Sequence, residues 1–217
     1  MMRNPTSGGL TPSRYRSRLE GSSRASGSPY SIIYADPPWS YRDKAHAGQR
    51  GVDYKYGTLT PEQIARLNVA SIAAEDAVLF LWITPPQLEV GLEIIETWGF
   101  AFKTLAFTWV KTYPKAGTPC VGMGHWTRSN AELVLLGVRG KPKRVDAGVR
   151  QVIIAPRGEH SAKPPEVRDR IVQLMGDLPR IELFARENVE GWHAWGNEVE
   201  CDVDLIVPHD DGDDNDD

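Results

Sequence analysis

Seven consecutive apolar residues, Ala77-Val78-Leu79-Phe80-Leu81-Trp82-Ile83, limit the fold more than any other stretch of this chain. Side chains alternate between the two faces of a strand, so a strand built from this run is apolar on both sides and needs cover on both. That predicts a buried strand in a largely parallel sheet with helices on each face. The run is the longest of its kind in the 217 residues, and it falls far short of the ~20 needed to cross a bilayer.

The flanking segments agree with an α/β fold. Residues 31–35 (SIIYA), 102–111, 132–138, 151–155 and 180–184 read as strands. Thr60-Pro61-Glu62-Gln63 combines an N-cap, a proline in the first turn and a capping glutamine, and predicts a helix to about Leu67. Thr84-Pro85-Pro86-Gln87 repeats that start signal, for a helix that Gly99 stops after Trp98. Residues 164–175 place Val167, Ile171, Leu174 and Met175 on one helical face. Strand and helix alternate, as in a sheet whose ligands bind beyond the carboxyl ends of its strands.

Composition divides the chain into three parts. With 41% hydrophobic and 25% charged residues it can bury one core. Residues 1–29 hold Arg3, Arg14, Arg16, Arg18 and Arg24 against Glu20, and read as a disordered basic arm. Residues 200–217 are expected to be a disordered acidic tail, part of a terminal stretch that carries ten acids from Glu198 onward and no Lys or Arg. Residues 30–199 form the expected domain. The arm either contacts nucleic-acid phosphates or is simply solvated; the tail reads as solvated. No apolar secretory segment opens the chain, and Cys120 and Cys201 show no ligand-like spacing. A cytoplasmic, reduced protein without metal or membrane association is therefore expected.

Two stretches, 40–58 and 112–130, are long for connections in a compact domain. They interleave Arg42, Lys44, Arg50, Lys55, Lys111, Lys115 and Arg128 with Tyr41, Tyr54, Tyr56, Tyr113 and Trp126. Cations mixed with aromatics suit a nucleic-acid strand, although solvated loops with anchoring rings have the same composition. The signatures of dinucleotide, P-loop, zinc-hydrolase and serine-hydrolase sites are absent from the sequence.

Asp36-Pro37-Pro38-Trp39 follows the strand at 31–35 directly. A residue before proline is held extended, so the Asp36 and Pro37 carbonyls escape helical pairing and are free to accept from a ligand. With the Asp36 carboxylate and the Trp39 ring they suit an aromatic base that bears an amine. A purely structural Pro-Pro turn is the other reading. The lone pair of an adenine amine is delocalised into its ring. Accepting both N–H hydrogens favours the tetrahedral nitrogen that attacks a methyl group, an effect of positioning and fixed electrostatics.

With "YADPPW" go "YGTLTPEQIARLNV" (56–69), "LFLWIT" (79–84), "WGF", "WVKT" (109–112), "GHW" (124–126), "AELVLLGVRGKP", "SAKPPE" (161–166), "IELFAR" (181–186) and "GWHAWGNE" (191–198). In this order and spacing the chain resembles the DPPW-type adenine-N6 methyltransferases, the family that includes the catalytic subunit of the mRNA adenosine methyltransferase. The resemblance implies a Rossmann-like fold, S-adenosylmethionine as donor, and adenine in DNA or RNA as substrate. DNA is preferred, because the compact chain is similar to bacterial and phage members. It allows a homodimer or a heterodimer.

The resemblance also assigns roles. Asp36 and Pro37 would hold the amine, with Pro38 completing the catalytic corner and Trp39 stacking on the base. Lys163 would lie near the donor's methionine end and the catalytic acid, and Asp36 would also border the donor. Phe184, Arg186, Asn188, Asn197 and Glu198 would surround the donor's ribose and adenine. Tyr56, Trp82, Trp109, Lys111 and Glu132 would line the base pocket. Glu198 stands where the family often has Gln, an acidic donor contact upstream of DPPW has no match, and there is no zinc-finger region. Two other readings remain at this level: a non-catalytic nucleic-acid-binding subunit, and a methyltransferase of small molecules or protein amides.

Overall fold

The computed structural model describes residues 29–39, 59–124, 126–158 and 162–205. The N-terminal arm to residue 28, the stretch 40–58 with Tyr56, and the tail from 206 lie outside them. Within the described residues seven strands form one sheet: β1 (Tyr30–Ala35), β2 (Ala73–Ile83), β3 (Ala101–Thr112), β4 (Ala131–Arg139), β5 (Val152–Pro156), β6 (Arg180–Leu183) and β7 (His193–Trp195). Among the described residues three α-helices accompany them: α1 (Pro61–Ala65), α2 (Leu88–Thr97) and α3 (Glu166–Met175). The strand order is β5-β3-β4-β2-β1-β6-β7, so the all-apolar β2 occupies the centre.

Alternation along the strands separates two cores. Ile33, Ala35, Leu79, Leu81, Ile83 and Leu183 face one way, against Ile64 of α1 and Ile94 and Ile95 of α2. Ile32, Tyr34, Val78, Phe80 and Trp82 face the other way, against Val167, Ile171 and Met175 of α3. The helices therefore lie on both sides of the sheet, which is the cover that the apolar run of β2 requires. The capping box at α1 forms: the Thr60 hydroxyl accepts from Gln63 N–H, and the Gln63 side chain accepts from Thr60 N–H. The second Pro-Pro start opens as a 3-10 turn, Pro85–Gln87, before α2 begins.

The sheet is mixed, which corrects the largely parallel expectation. β1–β2, β1–β6, β3–β5 and β6–β7 pair in parallel. β4 runs antiparallel to both its neighbours, β2 and β3. Residues 113–130 hold no helix among the described residues to carry the chain back across the sheet, so β4 returns beside β3 by a long hairpin. Two further differences lie at the C-terminal end. β7 is a strand that sequence periodicity did not indicate. Residues 200–205, expected to open the tail, pack on the domain: Asp202 N–H donates to the Ala194 carbonyl, its carboxylate accepts from Ala194 N–H, and Leu205 is buried. Among the described residues no helix is long and apolar enough to cross a membrane, and no cluster of three or more His, Cys, Asp or Glu suits a metal ion.

Candidate active site

The carboxyl ends of β1, β2, β3, β5, β6 and β7 share one rim of the sheet. Because β4 is reversed, its amino end lies on that rim as well. This brings Glu132, the second residue of β4, to the strand ends that carry Asp36, Trp82 and Lys111.

The DPPW corner leaves β1 at Asp36 and is braced by its own backbone. The Asp36 N–H reaches the Leu183 carbonyl of β6 at 3.5 Å. Trp39 N–H donates to the Pro37 carbonyl at 2.9 Å, and Leu59 N–H donates to the Pro38 carbonyl at 3.0 Å. The sequence suggested a free Pro37 carbonyl, and it is free only in part: one of its two lone pairs remains for a ligand. The Trp39 ring is 6% exposed in the core, and its Nε1–H donates to the Trp82 carbonyl at 3.1 Å. An open stacking face is not what this structure gives Trp39; the ring ties the corner to the end of β2. Its bridge to Leu59, distant in sequence, accounts for the burial.

Four charged groups of alternating sign run from this corner along the rim. Lys163, on the approach to α3, places Nζ 2.6 Å from Asp36 Oδ2 and 3.4 Å from Glu132 Oε2. Glu132 Oε1 in turn contacts the Lys111 ammonium at the end of β3. The side chains of Asp36, Lys163, Glu132 and Lys111 are 23%, 13%, 12% and 26% exposed, so water screens the chain only in part. Burial pulls the Lys163 ammonium down, but the Asp36 and Glu132 carboxylates outweigh it and leave its pKa above the ordinary lysine value.

Two tryptophans lie beneath the ammonium groups. Lys163 Nζ sits 5.3 Å from the Trp82 ring, and Lys111 Nζ 5.0 Å from the Trp109 ring. The two rings meet edge to face at 6.1 Å. Trp82 donates to the Tyr34 hydroxyl and Trp109 to the Ala155 carbonyl. Both rings are buried, so they support the cations from below and offer no broad open face.

The expected donor residues cluster at the ends of β6 and β7. Phe184 adopts φ +62°, a conformation that a bulky residue takes only where its surroundings enforce it. Here Ala185 N–H donates to the Trp195 carbonyl, and the Phe184 and Trp195 rings meet at 5.3 Å. Gly196 allows this approach, since a Cβ there would lie 2.1 Å from the Ala185 carbonyl oxygen. Arg186, Asn188, Asn197 and Glu198 are exposed on the two turns that follow β6 and β7. Polar side chains beside a constrained aromatic turn, with Asp36 on the adjoining strand, fit a nucleoside bearing a charged amino-acid arm.

Sequence reasoning passed over a second ion network behind the first. Arg168 of α3 grips Glu182 of β6 through both oxygens, at 2.7 and 3.0 Å, and reaches Glu187 on the turn after β6 at 3.2 Å. Burial raises the Glu182 carboxyl, and Arg168 opposes that rise only in part. Tyr34, paired in register with Glu182, is held well above the usual phenol range by burial and then by the Glu182 charge. The signal was weak: a lone arginine on a helix reads as part of a solvated face.

The MT-A70 family profile matches residues 30–198. The chain is 37% identical over 188 residues to the type II methyltransferase M.MunI of Mycoplasma sp, covering 78% of both proteins. It is 33% identical over 175 residues to human METTL3, an N(6)-adenosine-methyltransferase catalytic subunit, covering 79% of this chain and 28% of that protein. To an MT-A70-like N(6)-adenosine-methyltransferase of Arabidopsis thaliana it is 32% identical, across 24% of that protein's length. The chain belongs to the MT-A70 family and is an adenine-N6 methyltransferase.

Proposed function

We propose that this enzyme methylates the N6 amine of adenine within a polynucleotide, DNA in preference to RNA. The observation that carries the proposal is the Asp36–Lys163–Glu132–Lys111 chain at the strand ends, beside the DPPW corner. The preference for DNA is supported by the higher identity to the type II methyltransferase, 37% against 33% for METTL3. The donor is S-adenosylmethionine, which supplies a methyl group on an electron-poor sulfonium. Phe184, Arg186, Asn188, Asn197 and Glu198 would hold its nucleoside, and Lys163 and Asp36 would border its amino-acid end.

The chain's own residues prepare the amine. Asp36 Oδ2 is committed to Lys163, so one amine hydrogen is accepted at Oδ1 and the other at the Pro37 carbonyl. Withdrawing both hydrogens from the plane of the ring localises the lone pair on nitrogen. Lys163 fixes the carboxylate's orientation before the base arrives, and the acceptors need little rearrangement during reaction. Trp39 holds the corner rigid from beneath. After transfer the nitrogen carries an excess proton, which Oδ1 is placed to receive and pass to water.

Incubation with labelled donor and a panel of single- and double-stranded DNA and RNA, followed by digestion to nucleosides, tests the proposal. Label on N6-methyldeoxyadenosine is expected, with Asp36→Ala lowering kcat by about 10²–10³-fold. Label on another nucleoside, or full activity of Asp36→Ala, would refute it.

A further inference from the structure

Beyond Trp109 the rim opens into a cleft of about 470 Å³ that shares Lys111 with the ion chain and is lined by none of the donor residues. Its inner wall is Trp109 and Cys120, both buried, and its polar wall is Lys111, Ser129, Asn130 and Arg157. Trp109 and Lys111 belong equally to the proposed base pocket, so the two spaces are neighbours. The volume is in the range of small-ligand sites, about 300–1,000 Å³.

The cleft is held in shape by backbone contacts. Asn130 accepts from Lys111 N–H at 2.9 Å, and Cys120 N–H donates to the Lys111 carbonyl at 2.7 Å. Gly122 N–H donates to the Ser129 carbonyl at 2.9 Å, and a Cβ on Gly122 would come within 2.2 Å of that oxygen. The described residues between β3 and β4, 113–124 and 126–130, therefore close on themselves against those strands.

Charge identifies the occupant. Lys111 is neutralised by Glu132, whereas no carboxylate among the described residues pairs with Arg157. Arg157 follows β5, its N–H donates to the Thr112 carbonyl at 3.1 Å, and its guanidinium lies 5.5 Å from the Tyr113 ring. The ring contact gives the exposed guanidinium a resting place beside the cleft, from which it can meet an anion. Arginine's planar fork also matches phosphate oxygens.

We infer that this cleft holds the sugar-phosphate of the nucleotide next to the target adenosine, with Arg157 on the phosphodiester and Ser129 and Asn130 on the sugar or base edge. The inference rests on the polynucleotide reading above and deepens it: the enzyme selects a polymer over a free nucleotide by a contact one residue away from the reacting base. A phosphate contact of this kind adds affinity and salt dependence without reading sequence.

The test uses an adenine-containing oligonucleotide, made as DNA and as RNA, with each phosphodiester flanking the target replaced in turn by neutral methylphosphonate. Wild type, Arg157→Ala and Arg157→Lys are assayed for KM, kcat and donor affinity. For Arg157→Ala, KM for the oligonucleotide should rise about 10-fold, equivalent to ~1.4 kcal/mol, with donor affinity unchanged and Arg157→Lys intermediate. The slope of log KM against log salt should fall by about one. In wild type one flanking methylphosphonate should impose a similar loss, and Arg157→Ala should be insensitive to that replacement. Equal KM for Arg157→Ala and wild type, or an equal methylphosphonate penalty in both, would overturn the inference alone. No transfer by wild type to either polymer would overturn the proposed function and this inference with it.

Discussion

Replacing Arg168 by Met tests whether the second ion network holds the site together. Arg168 and Glu182 side chains are 15% and 10% exposed, and both oxygens of Glu182 are engaged. Removing the cation leaves a desolvated carboxylate beside Tyr34, and breaking such a pair typically costs about 3–5 kcal/mol. The contact with Glu187, which is 69% exposed, adds little, on the order of 0–1 kcal/mol. A domain of this size is stable by roughly 5–15 kcal/mol, so the loss is a large fraction of the whole. Its pH dependence has a definite sign. Burial already raises the folded-state pKa of Glu182 above its unfolded value, and Arg168 is what restrains it. A raised carboxyl lowers stability as pH climbs from the unfolded towards the folded value. The deficit of Arg168→Met should therefore be largest near neutral pH and shrink as Glu182 takes up its proton. Urea unfolding of wild type, Arg168→Met and Arg168→Met/Glu182→Met at about pH 5 and pH 7.5 measures this, and the double variant should recover most of the loss. A deficit below about 1 kcal/mol at neutral pH, or one identical at the two pH values, would refute the reasoning.

Gly196→Ala should destabilise by about 1–3 kcal/mol and weaken donor binding, because the new Cβ meets the backbone of Ala185 and no rotamer avoids it; unchanged melting and unchanged donor calorimetry would contradict this. Lys163→Met should lower kcat by about 10²-fold or more, because Asp36 loses the group that orients it. In wild type the Lys163 ammonium, held above the usual value of 10.5 by Asp36 and Glu132 against the effect of burial, should stay charged through the neutral range. Its contribution to stability should be lost only as pH rises past that value. An alkaline fall in kcat beginning below about pH 9 would show that another group governs the rate.

The parts legible in the sequence were those set by local chemistry. Residues 77–83 announced a two-sided strand, and Thr60 to Gln63 announced a cap. Two consecutive prolines after a strand announced a rigid corner. Strand direction was not legible, because "ELVLLGV" is equally apolar whichever way it runs. The only hint was negative: residues 113–130 show no helical period that would carry a crossover. β7 has three residues, too few to show alternation. The burial of Trp39 depends on Leu59 and Trp82, contacts that no local pattern encodes. Lys163 and Glu132 were reached only through family resemblance, because a single charged residue looks the same on a solvated face and in an ion chain.

The reversal of β4 is what makes the charge chain possible. In an all-parallel sheet the second residue of β4 would lie on the opposite rim, about a strand's length from Asp36. Running antiparallel, β4 delivers Glu132 to Lys163. One ammonium is then shared by two carboxylates, so Asp36 is oriented by Lys163 without being fully neutralised by it. Lys111 compensates Glu132 from the far side, which keeps the half-buried chain neutral as a whole. A carboxylate that is fixed in place yet retains negative charge is the acceptor that an amine hydrogen needs. The strand that the sequence pattern could not orient is thus the one that tunes Asp36, the proposed catalytic acid.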